Sequence, residues 1–96
     1  MRYGICADVC WVRLPLRDPF TMLSWIGLEE LPTMEFDNLD SATNALKERY
    51  SDKIYTKNVN DGTEVLLCYI IDNDYNIIAA LDYDGNVIMR KWNLWL

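Results

Sequence analysis

Hydrophobic positions alternate at the start of the chain. Tyr3, Ile5, Ala7, Val9 and Trp11 fall on one side of an extended segment over residues 3–14, and Cys6, Cys10, Val12 and Leu14 fall on the other. A period of two predicts a strand, and Pro15 ends it or sets it at a sheet edge. The period then lengthens. Asp18-Pro19 offers a side-chain cap and a ring that fixes φ at the first helical position. Phe20, Leu23, Ile26 and Leu31 make a stripe that Met22, Trp25 and Leu28 broaden, until Gly27 weakens the helix and Pro32 closes it. A second helix starts at Asp40 or Ser41. Leu39, Ala42, Leu46 and Tyr50 recur at threes and fours with Ala45 beside them, while Asn44, Lys47, Glu48 and Arg49 take the outer face.

After Ser51-Asp52 the pattern reads as strands again. Residues 53–58 form one short extended run. Asn60-Asp61-Gly62 is a hairpin turn, because glycine accepts positive φ. From Glu64 to Ile71 the chain is apolar on both sides, Val65, Leu67, Tyr69 and Ile71 against Leu66, Cys68 and Ile70. A strand of that kind is central and covered twice. Residues 77–81 follow, with Ala79 and Ala80 small enough to let a helix approach, and residues 87–92 complete the run. The order β-α-α-β-β-β-β predicts a single α+β domain over residues 1–96. It would be two-layered, an antiparallel meander of four to five strands with two helices.

The strand connections carry the chain's most distinctive pattern. Asp72-Asn73-Asp74-Tyr75-Asn76-Ile77-Ile78 and Asp82-Tyr83-Asp84-Gly85-Asn86-Val87-Ile88 both read D-x-D-x-N-[IV]-I, ten residues apart. Each begins like a calcium loop. The glycine required at the sixth position is Ile77 or Val87, and the bidentate glutamate required at the twelfth is Tyr83 or Asn93. Aspartate and asparagine have a simpler use here, since their side chains bond the local backbone and stabilise turns. No metal and no cofactor are expected.

Charge sharpens this picture. The net charge is −6, and the acids are grouped. Between Lys57 and Arg90 there are six acidic residues and no basic one, and Glu29, Glu30, Glu35, Asp37 and Asp40 form a second acidic stretch. Binding of DNA or RNA through phosphates needs the opposite balance, so direct nucleic-acid binding is not expected. No apolar run approaches the ~20 residues of a membrane helix. The three cysteines are odd in number and form no C-x-x-C, which suits free thiols in a reducing, cytoplasmic setting.

Catalytic patterns are poorly supplied. The chain has no histidine, which excludes Ser-His-Asp and Cys-His catalysis and His-ligated zinc. No glycine-rich phosphate loop occurs. Acids placed at successive turns of a meander diverge to opposite ends of the sheet, which disfavours a carboxylate-and-lysine nuclease. A non-enzymatic role is expected.

In size, charge and lack of catalytic apparatus the chain is similar to phage counter-defence proteins such as anti-CRISPRs, and to bacterial toxin-immunity proteins. The resemblance implies an inhibitor that presents carboxylates where phosphates would lie, to a basic partner such as a nuclease or another nucleic-acid-binding protein. Asp72, Asp74, Asp82 and Asp84 would supply charge. Tyr75 and Tyr83 would anchor, and Glu29, Glu30, Glu35 and Asp37 form the competing patch. The alternative is a structural module that forms a homodimer through Trp92, Leu94 and Trp95 of an apolar C-terminus.

Overall fold

A computed structural model of the chain describes residues 2–13, 18–24, 32–54, 56–59 and 61–90. The elements run β1 (Tyr3–Val12), α1 (Pro19–Leu23), β2 (Met34–Phe36), α2 (Leu39–Tyr50), β3 (Thr56–Val59), β4 (Gly62–Ile71), β5 (Ile77–Leu81) and β6 (Val87–Met89). They form a small α+β domain with one antiparallel sheet of six strands in the order β2-β1-β4-β5-β6, and β3 also pairs with β4. β4 is the axis of the sheet. All of it but Gly62 pairs with β1, from Gly4↔Ile71 to Val12↔Thr63. β3 pairs with its first residues and β5 with its last. The doubly apolar run that predicted a central strand is therefore central.

The arrangement of elements differs from the sequence expectation, and the run expected over 53–58 is the strand Thr56–Val59. The order contains an additional strand, β2, between the helices. Met34, Glu35 and Phe36 pair with the start of β1, and three residues are too few to show a period of two. The helices also do not share one layer. Met22 and Leu23 of α1 pack with Cys6, Cys10, Val12, Val65, Leu67 and Tyr69 on one face of the sheet. Ala42, Ala45 and Leu46 of α2 pack with Ile5, Cys68, Ile70, Ala79 and Leu81 on the other. Both faces of β4 need cover because its side chains are apolar in both directions, and a helix lies on each.

Local signals explain the helix starts. Asp18 accepts a hydrogen bond from the Phe20 amide at 3.0 Å, and Pro19 opens α1. The cap of α2 is Asn38, not Asp40 or Ser41. Its Oδ1 accepts from the Ser41 amide at 2.7 Å. Asp40 then lies in the first turn, and Lys47 and Arg49 lie in the last, which complements the helix dipole at both ends. The first-helix stripe beyond Ser24, the Asn60 position of the hairpin turn and the C-terminal residues 91–96 lie outside the described residues.

Candidate functional site

The two acidic turns are built alike. In the first, the Tyr75 amide donates to the Asp72 carbonyl at 3.1 Å, and the Asp72 amide donates to the Asn76 carbonyl at 3.0 Å. In the second, Gly85 to Asp82 and Asp82 to Asn86 repeat those bonds at 3.1 and 3.0 Å. The side chains repeat as well. Asp72 Oδ1 accepts from the amides of Asp74 and Asn76 at 2.9 Å each, and Asp82 Oδ1 accepts from Asp84 and Asn86 at the same distance. These are three-residue hairpin loops closed by a left-handed residue. That residue is Gly85 at φ +80° in one loop and Tyr75 at φ 63° in the other. The D-x-D-x-N pattern is thus a hairpin device. Its first aspartate holds the loop backbone, which leaves Asp74 and Asp84 as the outward carboxylates.

The loops sit at opposite ends of β5, which spans five residues or ~16 Å. The 72–76 end also carries Arg2, Glu35 and Asp37. The Arg2 amide donates to Asn73 Oδ1 at 3.0 Å, and its guanidinium pairs with Glu35 at 3.1 Å, with both side chains more than half exposed. Asp37 lies just past the Tyr3↔Phe36 pair, at this same end. Arg2, Gly4, Pro32, Glu35, Ile71, Asp72, Asn73 and Tyr75 enclose a groove of about 140 Å³. Tyr75 stands over it 52% exposed. Asp74 and Asp84 are exposed, and neither is paired with a described lysine or arginine.

The 82–86 loop is committed inward. Gly85 packs on the end of α2, where an added Cβ would meet Ser51 Cβ and the Ser51 carbonyl at 3.1 Å. The Tyr83 hydroxyl donates to Met22 Sδ at 3.6 Å, and burial raises its pKa. Of the two expected anchors, Tyr75 is the more available. Glu29 and Glu30 lie outside the described residues, as do Trp92, Leu94 and Trp95.

A polar contact that the sequence did not announce lies under α1. The buried Tyr69 hydroxyl donates to Asp8 Oδ2 across the β1–β4 ladder. Burial raises the phenol pKa first, and the hydrogen bond to Asp8 raises it further. The signal was present in the alternation, since an acid at position 8 between Cys6 and Cys10 must face the same side as they do. Cys6 and Cys10 lie on that side, while Cys68 lies on the opposite face against α2. Its thiol is pushed up to about 11, chiefly by burial. Among the described residues, no three cysteine, aspartate or glutamate side chains converge as metal ligands would.

No family model, no curated protein and no solved structure matches the chain. Among the described residues, no helix is long and apolar enough to cross a membrane.

Proposed function

We propose that this protein is a small acidic inhibitor of the anti-CRISPR or toxin-immunity kind. It occupies a basic, nucleic-acid-handling protein by mimicking phosphate charge, and it performs no catalysis. The observation that carries this reading is the rigid display of carboxylates on hairpin loops. Asp74 and Asp84 are held at defined positions by the Asp72 and Asp82 bonds to the backbone. A carboxylate fixed in advance loses little freedom when a lysine or arginine meets it.

The 72–76 end is the favoured face. Glu35, Asp37, Asp72 and Asp74 lie at this end, with Glu35 paired to Arg2 and Tyr75 as the aromatic anchor. Complementary charge would speed encounter, and the aromatic would slow release. Asp82 and Asp84 extend the field to the other end of β5.

Affinity purification from the native host at low salt, followed by mass spectrometry, tests the proposal. One dominant basic nucleic-acid-binding protein is expected, released by raising salt and lost with Asp74→Lys. Recovery of no enriched partner, or of one indifferent to both salt and Asp74→Lys, would overturn it.

A further inference from the structure

We propose that the open edge of β1 is a homodimer interface, in which two copies pair antiparallel about Cys10 and join their sheets. The inference is independent of the acidic loops.

The Thr33 amide donates to the Ile5 carbonyl at 2.9 Å. The Ile5 carbonyl therefore points toward β2, away from β4. Backbone direction alternates along a strand, so the N–H and C=O groups of Ala7, Val9 and Trp11 point to the same edge. β2 reaches only as far as Ile5 in register, and no other described strand pairs with this edge. Among the described residues, a lane from Ala7 to Arg13 is left with no strand beside it and its backbone groups facing outward, the Trp11 carbonyl taking only the Cys10 thiol at 3.9 Å. An unpaired edge is a template for another strand. The usual protections are weak here. No lysine or proline lies between Ala7 and Arg13; of the two charges, Asp8 faces the α1 side, where Tyr69 holds it, and Arg13 stands at the end of the lane.

The occupant follows from self-complementarity. Val9 and Trp11 are 51% and 55% exposed, on the α2 side of the sheet and two residues apart. Trp11 lies against Gly62, at a spot that no Cβ could share with its ring. A two-fold axis at Cys10, the centre of the open lane, sets Val9 opposite the partner's Trp11 and Trp11 opposite the partner's Val9. Ala7 then meets the partner's Arg13. Every outward-facing residue falls in a hydrogen-bonded pair in this register, and each exposed apolar side chain covers the other. An axis at Val9 instead would drive Val12 and Arg13 into the partner's β2. An isologous contact of this kind closes on itself and stops at two copies.

The test is the mass of the full chain by light scattering over a dilution series starting near roughly 100 μM, above the micromolar constants of modest interfaces. Twice the monomer mass is expected at the top of the series. Val9→Pro removes an amide that faces the lane and not β4, so the variant keeps the far-ultraviolet dichroism of the parent and runs as a monomer. Trp11→Glu, at an exposed position, gives the same result by charge repulsion. Isotope-filtered nuclear Overhauser spectra of a mixed-label dimer show Val9 methyls against the other copy's Trp11 indole. A parent that is monomeric throughout overturns the proposal. So does a dimer that survives both substitutions, which places the contact elsewhere, such as the C-terminal tryptophans. A monomeric parent whose Val9→Pro variant loses a host partner assigns the edge to a foreign strand and also overturns it.

Discussion

Tyr75 and Gly85 occupy the same place in twin loops, and they differ in what the backbone requires of them. A left-handed φ costs a side-chain-bearing residue about 1 kcal/mol or more and costs glycine almost nothing. Tyr75→Gly is therefore expected to raise stability by about 0.5–1 kcal/mol in urea unfolding, and to weaken partner binding if Tyr75 is the anchor. Gly85→Ala is expected to lower stability by about 1–3 kcal/mol, because it adds strain at φ +80° to the contact with Ser51. Buried acids give a second residue-level expectation. The Tyr69 phenol and the Cys68 thiol are both raised, from ordinary values of 10.0 and 9.0. The native state thus keeps protons that the unfolded chain releases. Stability is full below about pH 9 and falls as pH rises through 9 for Cys68 and 10 for Tyr69. Denaturant midpoints from pH 7 to 11 would show this decline, and a flat profile would contradict it. At pH 8 the native Cys68 thiol should resist a disulfide reagent that reacts at once with the denatured chain.

At the scale of elements, the sequence was informative where a signal spans several residues. The alternation in β1, the two-sided run in β4 and the threes and fours of α2 all fall where their periods predict. So do the two acidic turns, because the aspartate that bonds its own backbone is visible as a residue type. β2 was not legible, since a three-residue strand is made by its neighbour and has no period of its own. The opposition of the two helices was also hidden. Nothing local to either helix says which face of the sheet it will cover, although β4 itself demanded cover twice. The cap of α2 lies two or three residues before the expected Asp40 or Ser41, because Asn38, Asp40 and Ser41 all have the needed oxygen and only Asn38 sits where the backbone leaves the helix. Asn38→Ala should cost about 1 kcal/mol. Asp40→Ala should cost less, since the dipole contribution is a few tenths. Thermal unfolding of the two variants ranks them, and the reverse order would contradict the assignment of the cap.

At the scale of the whole molecule, and among the described residues, the carboxylates of the two hairpin loops stand at opposite ends of one strand. Asp72 and Asp74 mark one end of β5, where Glu35 and Asp37 also lie, and Asp82 and Asp84 mark the other. The candidate face was half legible. Asp72, Asp74, Asp82 and Asp84 stood out in the sequence, but the inward use of Tyr83 and the approach of Glu35 and Arg2 depend on tertiary pairing. In the proposed charge mimicry the acidic field would act before contact, because charge steers encounter over a Debye length of about 8 Å at physiological salt. The most direct test is the association rate of the protein with its captured partner, followed by stopped flow as ionic strength rises. The rate should fall steeply with salt, and Asp74→Lys should both slow it and flatten the dependence. An association rate indifferent to salt and to Asp74→Lys would contradict charge mimicry as the basis of binding.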